Sequence, residues 1–309
     1  MNANELRGII PATVLPMTAD YAPDFSAYGR YLEWILEQDP VALAVNMDTG
    51  EGPQLSPAER VKVIQQTRAL ASNQCPVLAG VMGGSTLDAV DNARQAQQAG
   101  AQGLVIFPNA AFRNVPLDPI VARNHHQAIA DATGLPVVLF QLAPIFGGVR
   151  YTREVLLELM QISNVVALKE SSFDVDYLTY TKETMALSGR NIALLTGHDL
   201  AIIESFQLGA DGALLGFGAV ACRMLAEMIR TYHEGRHDTA FAMRPRLQGL
   251  ADFIFRKPML DYRARCKAAL GILGVIETAS TYVRPPMLTV PSEEYDQIRE
   301  ALSEAALLS

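Results

Sequence analysis

Short apolar runs alternate along the chain with longer stretches whose apolar positions recur at helical spacing, on a beat of about 25 to 35 residues. The runs are GIIPATVL at 8–15, VALAV at 41–45, PVLAGV at 76–81, GLVIF at 103–107, PVVLF at 136–140, NVVAL at 164–168, IALLT at 192–196 and GALLG at 212–216. They are continuous and do not alternate apolar with polar. That is the pattern of strands buried on both faces of a parallel sheet.

The intervening stretches carry helix punctuation. Ser56-Pro57-Ala58-Glu59 sets a hydroxyl cap, a first-turn proline and a glutamate three residues on, and Asp118-Pro119 repeats the cap-then-proline signal. Gly100, Gly134 and Gly209 follow helical segments where a left-handed residue is wanted.

Eight such units in series predict an α/β fold, a (β/α)8 TIM barrel. A doubly wound open sheet is the rival. It calls for a glycine-rich phosphate loop after an early strand, and neither GxGxxG nor GxxxxGK[ST] occurs. The barrel is expected over 1–235. Helical stretches at 237–255, 259–273 and 292–307 then make 236–309 a C-terminal helical extension packed on it.

Composition narrows the partners. Of 309 residues half are apolar and 19% charged, enough for a sizeable core and too apolar for disorder. The net charge of −8 argues against nucleic acid or an anionic membrane as the main partner. Cys75, Cys222 and Cys266 are scattered and odd in number, which fits a reducing compartment and neither a disulfide framework nor a zinc site. The opening MNANELRG lacks a signal pattern and no run approaches the length of a membrane span. The expectation is a soluble, cytoplasmic protein.

Barrels of this kind act through the loops after their strands. Of the five lysines, Lys62, Lys182, Lys257 and Lys267 fall in segments with polar neighbours and read as solvated, whereas Lys169 ends an apolar run. An amine there is partly desolvated, which lowers its pKa and frees its lone pair for a carbonyl. The alternative is a structural lysine paired with a carboxylate such as Glu170. After the second run, Asn46-Met47-Asp48-Thr49-Gly50-Glu51-Gly52 offers two glycines, exposed backbone N–H groups and a hydroxyl, suited to a substrate carboxylate or simply to a polar turn.

Together these segments resemble the dihydrodipicolinate synthase / N-acetylneuraminate lyase family of class I, Schiff-base aldolases and dehydratases. Met47-Asp48-Thr49-Gly50-Glu51 stands where that family has Gly-Thr-Thr-Gly-Glu, and Ala167-Leu168-Lys169-Glu170-Ser171-Ser172 is similar to its lysine segment. Gly209-Ala210-Asp211-Gly212 and Val283-Arg284-Pro285-Pro286-Met287 complete a match from about residue 8 to 286. The resemblance implies that Lys169 condenses with pyruvate or a related 2-oxo acid, and that Thr49 and Gly50 hold the carboxylate. It also implies that no metal or other cofactor is needed, and that the protein is a homo-oligomer, tetramer or dimer.

The departures concern proton transfer and substrate. The family's fifth strand ends in Tyr-Asn-x-Pro, whose phenol carries protons, while this chain has Phe140-Gln141-Leu142-Ala143-Pro144. Asp48, in place of the first loop threonine, is the candidate replacement acid or base, or else a residue that only brackets the loop. The family's tyrosine after the fourth strand is absent at Phe107-Pro108-Asn109-Ala110-Ala111, and its arginine has no better counterpart than Arg150. Lysine-pathway dihydrodipicolinate synthesis is therefore not expected. Phe107, Phe112, Phe140, Phe146 and Phe217 suggest an apolar mouth, suited to an aromatic or otherwise hydrophobic aldehyde better than to a sugar. Ser171, Ser172, Leu214 and His198 are candidates for substrate contact, with His198 alternatively a helix-start residue held by Asp199. His125 and His126 read as surface. A C–C lyase or aldolase is the leading function. A 2-oxo acid dehydratase or decarboxylase, or a non-catalytic 2-oxo acid binding barrel, is the alternative.

Overall fold

The computed structural model describes residues 1–308. Eight strands form one parallel sheet: β1 (Ile9–Pro11), β2 (Leu43–Val45), β3 (Val77–Val81), β4 (Gly103–Ile106), β5 (Val137–Leu142), β6 (Val165–Ser171), β7 (Ala193–Thr196) and β8 (Gly212–Leu215). They are ordered β1-β8-β7-β6-β5-β4-β3-β2. Backbone bonds from Val41 to Ile9 (3.0 Å) and from Thr13 to Ala44 (2.9 Å) join β1 to β2 and close the barrel. Helices α1 (Phe25–Leu36), α2 (Pro57–Ala71), α3 (Thr86–Gln98), α4 (Pro119–Thr133), α5 (Arg153–Met160), α6 (Val175–Leu187), α7 (Ile202–Gln207) and α8 (Gly218–His233) alternate with the strands. Three more follow where the sequence places helical stretches: α9 (His237–Ile254), α10 (Tyr262–Ile272) and α11 (Ser292–Glu304). No described helix is long and apolar enough to cross a membrane.

The punctuation acts as its chemistry requires. The Ser56 hydroxyl accepts the Glu59 N–H while the Glu59 carboxylate accepts the Ser56 N–H at 2.7 Å, and Asp118 accepts the Ile120 N–H at 2.8 Å. Gly100, Gly134 and Gly209 take φ of +104°, +66° and +92°.

Two separate apolar clusters account for the continuous strand runs. One lies between sheet and helices; the other fills the barrel with Ile10, Ala44, Leu78, Val105, Val138, Ala167, Leu195 and Leu214. Strand side chains alternate between the two. Ala167 faces inward, so Lys169 and Ser171 do also, while Leu168 faces the helices.

Two surface expectations fail. His125 and His126 are buried, on the α4 face that also carries Ala122, Ile129 and Ala130. Their spacing is that of an apolar helical stripe. His126 Nδ1 bonds the Ala122 carbonyl at 2.8 Å, and burial lowers its pKa to about 4. Lys267 is not solvated either: it is buried in α10 with Nζ 2.5 Å from Glu51 Oε1 and 2.6 Å from the Tyr282 carbonyl.

Candidate active site

Above the filled barrel, at the carboxyl ends of the strands, lies a cleft with about 630 Å³ of open space, its mouth included. Strand ends β5 to β8 contribute Phe140, Leu142, Lys169, Ser171, Gly197 and Gly216. The β2 loop contributes Met47, Asp48 and Thr49. The C-terminal extension contributes Phe255, Met259, Leu260, Tyr262 and Arg263.

Lys169 stands on the cleft floor, with Nζ 4.3 Å from the centre of the Phe140 ring. Burial lowers its pKa from the usual 10.5 to about 8, partly offset by the negative charges of Asp199 and Asp48. At neutral pH roughly one amine in ten is therefore unprotonated, against fewer than one in a thousand in water. Glu170, the alternative structural partner, points the other way by strand alternation. It accepts the Ser172 N–H at 2.7 Å and lies 2.5 Å from His198 Nε2.

The β2 loop is a single 3-10 turn, Asp48–Gly50, between Asn46 and Glu51, both in the left-handed region. The N–H groups of Gly50 and Gly52 are not exposed; both donate to the Met47 carbonyl, at 3.1 and 3.0 Å. Gly50 lies behind the cleft, where a Cβ would come within 2.7 Å of the Thr13 carbonyl. Glu51 anchors the loop from below by accepting from Lys267 and from the Arg284 N–H at 2.7 Å. Arg263 holds it from above: Nε donates to the Asp48 carbonyl at 2.5 Å and Nη2 lies 3.5 Å from Asp48 Oδ1. Thr49 Oγ1 faces the Tyr262 hydroxyl at 3.3 Å.

Of the residues expected from the sequence, the structure brings together Lys169, Asp48, Thr49, Phe140 and Ser171. Ser171 Oγ is buried with no hydrogen-bond partner in the protein. Other expected contacts do not form. His198 is buried behind the cleft, on Glu170 and not on Asp199, and stacked on Phe173 at 5.8 Å. Leu214 belongs to the layer packed inside the barrel, and Gly216, two residues on, takes the cleft position. Ser172 turns away, its hydroxyl donating to the Asp174 carbonyl at 3.2 Å. Of the five phenylalanines only Phe140 and Phe146 line the cleft, joined by Phe173 and Phe255. Phe107 packs edge-on against Phe140, Phe112 sits against His125, and Phe217 is buried at the start of α8. Arg150 lies outside, paired with Asp174 at 3.1 Å.

Sequence reasoning missed Asp199, Tyr262 and Arg263. Asp199 follows the apolar β7 as Lys169 ends β6, which was a usable signal. Its pKa is raised to about 6 by burial, against the pull of the Phe217 N–H (2.7 Å) and Lys169. Tyr262 and Arg263 carry no such signal, being far along the chain in a helix. Burial raises the Tyr262 phenol above its usual range. Among the described residues, no three His, Cys, Asp or Glu side chains group in a way that could hold a metal ion.

The comparisons with known proteins agree with this architecture. The 4-hydroxy-tetrahydrodipicolinate synthase of Gluconacetobacter diazotrophicus is 28% identical over the whole of both chains. That of Archaeoglobus fulgidus is 26% identical over 98% of this chain and 99% of its own. Dihydrodipicolinate synthase from Thermotoga maritima superposes with a TM-score of 0.88 at 25% identity, covering 98% of this chain and all of that one. A monomeric dihydrodipicolinate synthase variant shares the fold, with a TM-score of 0.89 at 24% identity over 99% of each chain. A model of the dihydrodipicolinate synthetase family matches residues 5–305, and this chain belongs to that family of class I, lysine Schiff-base lyases and aldolases.

Proposed function

We propose that Lys169 forms a Schiff base with pyruvate or a related 2-oxo acid, and that the enzyme then makes or breaks a C–C bond to an apolar, aromatic aldehyde half. The carrying observation is the amine itself: buried, with a pKa of about 8, at the floor of a cleft walled by Phe140, Phe146, Phe173 and Phe255. A desolvated amine is nucleophilic near neutrality, and a protonated imine withdraws electrons from the adjacent bond. Thr49 and the unpartnered hydroxyl of Ser171 are placed to receive the carboxylate.

The relatives named above are synthases of 4-hydroxy-tetrahydrodipicolinate, and the proposed reaction differs from theirs in substrate. That difference is supported by Phe140, by Arg150 lying outside the cleft, and by four aromatic walls that favour flat apolar surfaces over polar ones. Asp48 lies at the cleft rim with its carboxylate toward Arg263, which suits it to holding the guanidinium. Association into a dimer or tetramer belongs to the same proposal: Val115, Ile120, Val121 and Ile145 are all half exposed or more. So does a cytoplasmic location.

Borohydride trapping with pyruvate, followed by peptide mapping, tests the chemistry. The expected result is a pyruvyl adduct on Lys169, after which aldehyde partners are screened with benzaldehydes first. No adduct with pyruvate or with larger 2-oxo acids overturns the proposal. Efficient condensation with aspartate semialdehyde, and none with benzaldehydes, overturns the substrate assignment alone.

A further inference from the structure

Resting on the Schiff-base chemistry proposed above, we propose that Tyr262, brought into the cleft by the first turn of α10, is the proton carrier of the reaction and supplies the phenol that the barrel lacks at Phe140.

Elimination leaves few candidates. The proton-bearing side chains lining the cleft are Asp48, Thr49, Lys169, Ser171, Asp199, Tyr262 and Arg263. Lys169 is the nucleophile, and a guanidinium does not give up its proton in a protein. The hydroxyls of Thr49 and Ser171 pass protons on but need a partner that gains and loses one. Asp48 faces Arg263; Asp199 accepts the Phe217 N–H on Oδ1 only and is the rival carrier. Tyr262 is, among the described residues, the one aromatic hydroxyl on the cleft wall.

Its position is built. The ring stacks on Phe255 with centroids 5.0 Å apart and planes 17° apart, and the Arg263 guanidinium lies 5.3 Å from its centre. Its hydroxyl meets Thr49 Oγ1, on the loop at the opposite side, at 3.3 Å. The pair can meet because position 216 is glycine: a Cβ there would lie 3.1 Å from both Thr49 Oγ1 and Tyr262 Cε2.

The proton count closes. Neutral Lys169 adds to C2 of pyruvate, and one ammonium proton passes to the new alkoxide, leaving a neutral carbinolamine. Tyr262 donates its proton to the carbinolamine hydroxyl, which departs as water, leaving an iminium ion beside a phenolate. The phenolate then takes a proton from C3, giving the enamine and restoring the phenol. Amine and pyruvate have become enamine and water, with no oxidant or further reactant. Burial disfavours the phenolate, and the iminium cation offsets that cost, so the anion is formed beside the iminium and is discharged when it takes the C3 proton.

The test uses pyruvate alone, so it does not wait on the second substrate. In D2O the enamine step replaces the methyl protons of pyruvate with deuterium, read by NMR. In Tyr262→Phe the expected outcome is an unchanged melting temperature and an unchanged adduct when borohydride is added at equilibrium, with exchange slowed by about a hundredfold or more. Adding Phe140→Tyr to that variant restores part of the rate. Exchange within about threefold of wild type overturns the inference, as does an adduct lost in parallel with exchange, which would make Tyr262 a binding or packing residue. Asp199→Asn is measured in the same exchange assay, and a loss of exchange there equal to that in Tyr262→Phe overturns the inference.

A second form of the test keeps the ring and its packing: 3,5-difluorotyrosine at position 262. The charged groups facing the phenol are Arg263, Asp48 and Asp199. These are unchanged, so the lowered phenol pKa moves the alkaline limb of the exchange–pH profile downward; an unmoved limb overturns the inference. Absence of any adduct in the wild type removes the Schiff-base proposal, and this inference with it. An adduct with undiminished exchange in Tyr262→Phe removes this inference only.

Discussion

Lys169 and Lys267 are both buried, one on the cleft floor and one where α10 meets the β2 loop, and their surroundings could hardly differ more. Lys267 has a carboxylate at 2.5 Å and a carbonyl at 2.6 Å. Lys169 has an aromatic ring at 4.3 Å and, among the described residues, no carboxylate within ion-pair distance; Asp199 and Asp48 act on it from farther away. Burial disfavours the charge on both. At the junction an ion pair answers that cost and the ammonium persists as a fastener. In the cleft the cost is only partly answered, and the amine is left available to a carbonyl.

One substitution made at both places separates the two roles most sharply. Lys169→Met is expected to abolish the pyruvate adduct and to cut turnover by about 10⁴-fold or more, with no loss of melting temperature. Lys267→Met leaves Glu51 buried without its cation and is expected to cost about 3–5 kcal/mol in denaturant unfolding. Equal stability losses at the two sites would break the comparison.

The pH dependence follows from the same contrast. Only the neutral amine attacks, so the initial rate of adduct trapping should climb about tenfold per pH unit below pH 8 and level off above it. The folded protein holds the Lys169 proton more weakly than the unfolded chain. This group's contribution to stability is therefore least favourable below pH 8 and improves by up to about 3 kcal/mol as pH rises from 8 to 10.5. Lys169→Met should flatten that rise. Asp199→Asn removes an offsetting negative charge and should move the kinetic midpoint down by up to about one unit. An unmoved midpoint would show that the carboxylate does not act on the amine. The smallest effect is expected at Arg150→Ala: its ion pair with Asp174 is partly exposed and outside the cleft, so stability should change by less than about 1 kcal/mol and trapping not at all.

Legibility of the site from sequence varies with how local its causes are. Lys169 stands out because it ends an apolar run, and the β2 loop because its glycines follow one. The α4 histidines were readable as core: their stripe with Ala122, Ile129 and Ala130 has the period of a buried face. Lys267 reads as solvated from its neighbours because its answering carboxylate, Glu51, lies more than two hundred residues earlier in the chain.

By itself the sequence determined the eight strands, their parallel order, the caps of α2 and α4 and the lysine at the end of β6. These rest on interactions within a few residues, on continuous apolar runs, on the 3.6-residue period of the helices and on the fixed hand of the crossovers. Only the tertiary structure decided which of two alternating faces looks into the barrel. A run apolar on both sides carries no mark of it, and that parity sends Lys169 into the cleft and Glu170 to His198. The tertiary structure also decided that Tyr262 and Arg263 close over Thr49 and Asp48. Hydrogen bonds between distant segments form only once the extension has packed, and no local pattern announces them.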